Sequence, residues 1–466
     1  MTKQIDIAII GSGPAGMAAA AEAAAAGLSV AILDEQVRAG GQIFRDVERA
    51  APLRGDILGK DYVDGGTLVA NLAHERIEHI SGAVVWQIEQ DLSISYSVAG
   101  RANSLSAKKL MIATGALERP MPLPGWTLPG VMTAGAAQIL LKQSGIICRD
   151  AILVGSGPLI YLIAAQLCRV GRPPKAIVET QRLRDIVAAS KHTIGALRGW
   201  RDLLKGVGLL NELRRAKVKR YKEATEIAIN GSDFATGVSF RTRGRNHSIS
   251  SATILLHHGV TPNTQIARSL GVSYQWDKGQ VCFSPILDEW GGTSVNDVFI
   301  VGDGACIGGA KAAVLSGQLS SLEIARDLGF LSKEERDEVA QPIRKQLGKE
   351  LAVRPFIDRA YPPFPEAVTP MDDIIICRCE EVTAGDIREY AKLGCLGPNQ
   401  AKAFSRAGMG PCQGRYCGIT VTQLLSSAND QGPDETGYYR IRSPLKPISL
   451  GEAGAMHNLK HKEPME

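Results

Sequence analysis

Residues 5–35, IDIAIIGSGPAGMAAAAEAAAAGLSVAILDE, decide the fold. The apolar, β-branched run over 5–10 reads as a buried parallel strand. It feeds Gly11-Ser12-Gly13-Pro14-Ala15-Gly16, then an alanine-rich helix closed by Gly27, then a second strand over 28–33 ending on Asp34 and Glu35. This order of strand, glycine turn, helix, strand and acid is the fingerprint of a dinucleotide-binding unit. Gly11 makes the tight turn, Gly13 lets the backbone approach a pyrophosphate, and Gly16 lets the helix pack against the sheet. The helix N-terminus then faces the phosphates. Asp34 follows Gly11 by 23 positions, close to the distance of the acid that binds a ribose hydroxyl. A glycine turn alone could serve packing only; strand, helix and acid together point to a dinucleotide.

Two later segments extend the cradle. Residues 111–119, MIATGALER, form a short strand ending in Thr114-Gly115, and residues 298–305, VFIVGDGA, another ending in Gly302-Asp303-Gly304. Taken singly, each is a strand-end turn. In this order they resemble the TG and GD segments of two-dinucleotide-domain flavoproteins of the glutathione-reductase-like class. The resemblance implies FAD rather than NAD, with Asp303 on the ribityl chain and the helix over about 310–319 facing the flavin. Gly40-Gly41-Gln42 resembles the GG pair with which that class passes close to its cofactor.

The chain of 466 residues has room for two or three domains, and its net charge of +5 is small for that length. No basic run is long enough to indicate nucleic acid. No apolar stretch reaches about 18 residues, so no spanning helix is predicted. The first strand begins within five residues of Met1, which leaves no space for a signal peptide. Nine cysteines without framework spacing point to a reducing cytoplasm, with thiols as ligands rather than disulfides.

The expected architecture is α/β, with an FAD domain over 1–125 and 263–330 interrupted by a second Rossmann-like domain over 126–262. Within 61–110, alternating stretches such as 93–98 read as exposed antiparallel strands. The proline-rich 120–130 marks the crossing between domains. The second fingerprint, Gly155-Ser156-Gly157-Pro158-Leu159-Ile160, has Glu179 24 positions on. Its last glycine is replaced by Ile160, a branched side chain where helix and strand should pack closely. Arg182 and Arg184 follow and could meet a 2′-phosphate. The expectation is a degenerate NAD(P)-type unit. No CxxC pair accompanies it, which argues against disulfide reduction. His257 and His258 flank a strand-end turn and read as structural. Residues 333–351 form a helix with a solvated face, and the prolines at 355, 362, 363, 365 and 370 mark 331–373 as a helix and tether to a separate module over 374–430. A tail spans 431–466, with 457–466 read as disordered.

That module holds Cys377-Arg378-Cys379, 32 intervening residues, and Cys412 to Cys417 as a Cx4C pair. Four thiolates so arranged can close around a metal centre, either an iron–sulfur cluster or zinc. Residues 408–411, GMGP, form a loop able to present backbone amides to sulfur, and 383–393 fill the interval with a helix. The other cysteines read as packing residues.

Cys377-Arg378-Cys379-Glu380, with 408–415 (GMGPCQGR) and Cys417, resembles the small α-rich bacterioferritin-associated-ferredoxin-like (BFD-like) [2Fe-2S] module. Behind a flavin domain carrying 116–131, ALERPMPLPGWTLPGV, it resembles the α (A) subunits of heteromeric amine and imino-acid dehydrogenases. These include octopine and nopaline opine oxidases, D-hydroxyproline dehydrogenase and the B subunit of hydrogen cyanide synthase. The resemblance implies FAD at Gly11, Gly13, Pro14, Ala15, Gly16, Asp34, Glu35, Gly41, Gln42, Thr114, Gly115, Gly302 and Asp303. It also implies a [2Fe-2S] cluster on Cys377, Cys379, Cys412 and Cys417, and FMN at the subunit interface. Substrate oxidation would belong to a D-amino-acid-oxidase-like FAD-containing β subunit, some relatives adding a small [2Fe-2S] γ subunit. Electrons would leave toward an acceptor such as the respiratory chain, with a cytoplasmic location, peripheral to the inner membrane in that case. No residue is assigned as catalytic, because no acid–base pair or nucleophile set stands out. A self-contained NAD(P)H-dependent flavoprotein reductase, and a zinc module that only docks a partner, are the competing expectations.

Overall fold

The computed structural model describes residues 4–460. The strand Gln4–Ile10 lies parallel between Val30–Asp34 and the C-terminal half of Arg101–Ile112. Ile77–Ser81 extends the sheet beyond Val30–Asp34, and Val298–Ile300 pairs parallel with the end of Arg101–Ile112. The first half of that long strand turns an antiparallel meander with Ser93–Val98 and Val84–Ile88. The meander is more buried than its alternation indicates, because Ile94 and Leu105 enter the core below the sheet. The opposite face takes the helix Pro14–Ala25, whose alanines allow close approach to Ala310–Asp327. At their crossing a Cβ on Gly317 would sit 2.2 Å from the Ala15 carbonyl oxygen.

The chain leaves this layer and returns through an antiparallel ribbon, Ala116–Glu118 against Val260–Pro262. Between the two crossings lies a second sheet of five parallel strands, in the order Lys219–Tyr221, Ala176–Glu179, Ile152–Gly155, Ile254–His257, Val131–Thr133. An antiparallel triplet over residues 225–250 packs on one face. Met121 and Leu123 of the proline-rich crossing already belong to this second core.

Three segments differ from their sequence reading. The helix Lys333–Leu351 is not simply solvated: Arg336 is buried, ion-paired with Glu323, and its guanidinium lies 4.2 Å from the Trp290 ring centre. The proline-rich 355–370 is not a free tether. It folds into Arg354–Ala360 and Pro365–Val368, and Phe364 sinks into the second domain's core. Pro355 and Pro365 sit at helix starts, where a missing N–H costs nothing. Finally, the cysteine module does not end at 430. Its core of Ile376, Ile387, Val421 and Leu424 also takes in Tyr439, Ile441 and Leu445. The chain then reaches back to the flavin-type sheet as the helix Leu450–Lys460 along Arg101–Ile112. Residues 457–460 are thus helical; 461–466 lie outside the described residues.

Candidate functional site: two nucleotide cradles and a thiol centre

In the first cradle each glycine answers a different demand. Gly11 has φ +106°, and a Cβ there would meet the Ala113 carbonyl oxygen at 2.6 Å. Gly16 sits so close that its Cβ would stand 1.9 Å from the Gly11 carbonyl oxygen. Gly13 is different: the nearest atom to its Cβ would be the Gly41 Cα at 3.8 Å. Protein packing does not require glycine there; the open space is what a pyrophosphate would use. The helix Pro14–Ala25 starts at Gly13 without a side-chain cap or an acid in its first turn, so its first amides remain available to an anion. Asp34 accepts from the Ser12 amide (2.6 Å) and hydroxyl (2.8 Å) and from the Gln36 amide (2.7 Å). A carboxylate offers about four acceptor sites, so capacity for a ribose hydroxyl remains.

Gly41 lies beside Gly13, and its Cβ would come within 2.8 Å of the Gly13 Cα. Gln42 contributes its carbonyl rather than its exposed side chain. Lys142, on the helix Ala134–Ser144, donates to the carbonyls of Gln42 (3.0 Å) and Ile43 (2.8 Å) and to Gln138 (2.9 Å). It is only 3% exposed. Burial, with Arg45 close by, pushes its pKa down to about 7. Asp303 receives the Gly308 and Gly309 amides, each at 2.9 Å, ahead of the helix Ala310–Asp327. Gly302 stands against Ala15, while Thr114 and Gly115 bond Asn263 as the chain re-enters the domain. Glu35 points elsewhere, to an ion pair with Lys446 of the tail at 2.8 Å.

The second cradle has the same plan and a different outcome. Gly155 and Gly157 take φ +130° and +114°, and Ile160 is buried in the layer between helix and sheet. Glu179, 1% exposed, is held through Oε1 by Arg220 at 2.7 Å, and its buried Oε2 has no hydrogen-bond partner among the described residues. Across the glycine turn runs the chain itself. The Ser156 hydroxyl donates to the Pro362 carbonyl (3.3 Å), and Tyr361 meets Tyr161 edge-on with ring centres 6.4 Å apart. The Phe364 amide donates to His258 Nδ1 (3.1 Å), so the other nitrogen of that ring donates to the Pro120 carbonyl (2.6 Å). Burial and the neighbouring Arg119 lower the His258 pKa to about 3, and the ring is neutral. The Arg182 amide, not its guanidinium, donates to Asp185 Oδ2 (3.0 Å) at the start of the helix Leu183–Ala189, and Arg184 is exposed.

Sequence reasoning missed a contact at the domain junction. Glu118 on the ribbon accepts the Gly135 amide at 2.8 Å and lies 2.6 Å from His257 Nδ1. The partners are 139 positions apart, and neither carries a local motif. Lys142 is likewise invisible in sequence, as a lone lysine on a helix.

The four module thiols meet two by two. Cys377 lies against Cys417 in the core, and Cys379 against Cys412 nearer the surface. Hydrogen bonding to Cys417, aided by the backbone amides of Gly408, Glu380 and Cys379, brings Cys377 down to about 6. Its partnership with Cys377, together with burial, raises Cys417. Cβ atoms on Gly408 and Gly414 would strike the Tyr439 ring at 2.5 and 2.4 Å, and one on Gly410 would strike Cys379 Cβ at 2.3 Å. Among the described residues no three histidine, cysteine or acidic side chains converge as a closed metal cage. In donor chemistry, the four thiols and the amides aimed at them fit a thiolate-held centre. None of the nine cysteines forms a disulfide.

The module is fastened to both other layers. Trp126 donates to the Ile375 carbonyl (2.7 Å), Gln265 to the Gln413 carbonyl (3.2 Å), and the Leu445 amide to the Trp86 carbonyl (2.6 Å). A cleft lined by Asn263, Gln265, Arg268, Arg415 and Tyr438 remains between the ribbon and the Cys412–Cys417 loop.

Fold and site define a two-dinucleotide-domain flavoprotein oxidoreductase carrying a cysteine-rich module. Residues 5–327 match the pyridine nucleotide-disulphide oxidoreductase family, and residues 374–457 match the sarcosine oxidase A3 domain. The opine oxidase A subunit of Rhizobium meliloti (strain 1021) is 41% identical over 96% of this chain and 98% of its own. The hydrogen cyanide synthase HcnB subunit of Pseudomonas protegens is 29% identical over 94% and 95%. Among solved structures, L-proline dehydrogenase from P. horikoshii shares the fold, with TM-score 0.69 and 19% identity over 97% of this chain and 79% of that one. The chain belongs to the pyridine nucleotide-disulphide oxidoreductase family and, within it, to the family of opine oxidase A subunits.

Proposed function

We propose that the chain is the electron-transferring α subunit of a heteromeric opine (octopine or nopaline) or D-hydroxyproline dehydrogenase. The single observation that carries this reading is the docking of the thiol centre. The loop bearing Cys412 and Cys417 is fastened to the flavin-type domain through Gln265 and, by way of the tail, through Trp86 and Glu35. A centre that only bound a partner would not need that position. In this reading the residues of the first cradle, Gly13, Asp34, Thr114 and Asp303 among them, hold FAD. The Cys377, Cys379, Cys412 and Cys417 thiolates hold a [2Fe-2S] cluster. Bound there, the flavin supplies two-electron acceptance and the cluster one-electron exchange, so the protein need contribute only binding, orientation and exclusion of water. FMN belongs at the interface with an FAD-containing β subunit, where the CH–NH bond of the substrate is oxidised. The assembly is completed by a respiratory-chain acceptor and a small [2Fe-2S] γ subunit, with a cytoplasmic location beside the inner membrane. Glycine oxidation of the hydrogen cyanide synthase kind is the alternative that the HcnB relationship keeps open.

A self-contained NAD(P)H reductase fits less well. The Pro362 carbonyl accepts from the Ser156 hydroxyl on the second glycine turn, and Arg220 pairs with Glu179 Oε1. The test is an anaerobic visible spectrum of the chain with its native partners, before and after octopine, nopaline, cis-4-hydroxy-D-proline, L-proline, sarcosine or glycine. Bleaching of flavin and cluster bands by one amine, and not by NADH or NADPH, is the expected result. Bleaching by NADH alone would replace this reading with the reductase.

A further inference from the structure

Eight large apolar side chains stand exposed within the 25 residues from Leu183 to Val207. Leu183, Ile186 and Val187 lie on the helix Leu183–Ala189, and Ile194 and Leu197 on Thr193–Arg198. Trp200, Leu204 and Val207 lie on Trp200–Arg215. Spacings of three and four place each group on one side of its helix, and the three helices are linked as neighbours through a short 3₁₀ turn. Their inner sides are already occupied. Ala189, Ala196, Leu209 and Leu213 are buried, and Gly195 and Gly199 press on Ala352 and Val353. The exposed faces are therefore surplus to the fold. A patch of this kind marks an interaction site.

Its charge identifies the partner. Residues 182–205 carry six basic side chains, Arg182, Arg184, Lys191, Arg198, Arg201 and Lys205, against Asp185 and Asp202, and of the six Lys205 is ion-paired with Asp61. Asp185 is turned inward to the Arg182 amide. Arg184, Lys191 and Arg198 are exposed and have no carboxylate partner among the described residues. The Arg201 guanidinium lies 5.7 Å from the Trp200 ring centre. A protein-interface core is depleted in lysine and in charge. Here cations alternate with the apolar groups, as on a helix lying in a lipid headgroup layer. No helix of the described residues is long and apolar enough to cross a membrane, so contact of these helices with a bilayer would be through such a surface.

We infer that the helices over residues 183–207 dock the protein on an anionic lipid bilayer. The surface stands whatever the substrate is. Its purpose, bringing the chain to a lipid-borne electron acceptor, rests on the electron-transfer reading, and vesicle binding tests the first without the second. The full-length chain is sedimented with vesicles of phosphatidylcholine, with and without phosphatidylglycerol. Binding to the phosphatidylglycerol vesicles alone is expected, weakening with salt as screened attraction must. Leu197→Asp with Leu204→Asp, and separately Arg198→Glu with Arg201→Glu, should each lower it by roughly ten-fold or more. Melting temperature and bound flavin should stay as in the parent. Equal binding by the variants, or none by the parent, overturns the inference. So do variants that keep the parent's vesicle binding but lose a second copy of the chain or the catalytic subunit; that result would assign the patch to a protein.

Discussion

The two cradles of this chain start from the same local instructions and end differently. Both have a strand, a glycine turn with positive φ, a proline-started helix and an acid at the end of the next strand. In the first, the nearest atom to a Cβ placed at Gly13, chain neighbours aside, is the Gly41 Cα at 3.8 Å, and Asp34 keeps spare capacity. In the second, the Pro362 carbonyl bonds the Ser156 hydroxyl and Glu179 is buried against Arg220. A fingerprint thus specifies a fold that can receive a nucleotide; whether the space remains is set by residues two hundred positions away.

The largest expected effect tests whether 355–370 is part of the second domain. Phe364→Ala should destabilise that domain by about 3–5 kcal/mol, as large buried truncations do, read by urea denaturation. A true tether would show no change. Next, Gly13→Val should remove FAD from the first cradle, weakening it by roughly 3 kcal/mol or about a hundred-fold in Kd. Because a Cβ at Gly13 would meet nothing closer than the Gly41 Cα at 3.8 Å beyond its chain neighbours, the apoprotein should melt near the parent temperature. Retention of full flavin by this variant would refute the cradle assignment. Lys142→Met should speed FAD release about ten-fold by leaving the Gln42 and Ile43 carbonyls unpaired, measured by flavin fluorescence.

The pH dependence of that comparison has a definite direction. Lys142 has a folded pKa near 7, below the unfolded value of 10.5. Between these values the unfolded chain binds the extra proton, so the parent gains stability over Lys142→Met as pH rises from 7 toward 10. His258 acts at the acid end. Its folded pKa of about 3 lies below the ordinary 6.5, so stability contributed above pH 6.5 should be lost as pH falls toward 3. His258→Gln should flatten that part of the curve. The smallest effect is Lys446→Ala, which removes a half-exposed ion pair with Glu35. It should cost less than about 1 kcal/mol and leave flavin content unchanged, as Glu35 does not face the cradle.

What the sequence disclosed was local in kind. The glycine turns, the proline-rich crossing at 120–130 and the Cx4C pair are each written in one short stretch, where φ, spacing and hydropathy carry the message. The differences have one cause, long-range packing. Prolines at 355–370 resemble a linker because they interrupt any long helix or strand, while the Phe364 amide finds its partner 106 positions back, at His258. Ile160 looks like damage in a fingerprint, yet it is a well-packed core residue. Lys142 and the Glu118–His257 contact depend on the fold to give a single polar side chain its partner. Glu35 shares the strand end with Asp34 but not its task, since side chains alternate there and Asp34 takes the turn.

Tyr439 fixes the order in which this protein can mature. Its ring fills the space above Gly408 and Gly414, one on each side of Cys412, and its hydroxyl lies 3.9 Å from the Cys417 sulfur. The thiol centre is therefore unfinished until synthesis has passed Tyr439 and that ring has left the ribosome. All strands of both parallel sheets have been synthesised by then. If the four thiols hold the cluster proposed above, a chain truncated before 439 should fail to retain it, read by its visible spectrum.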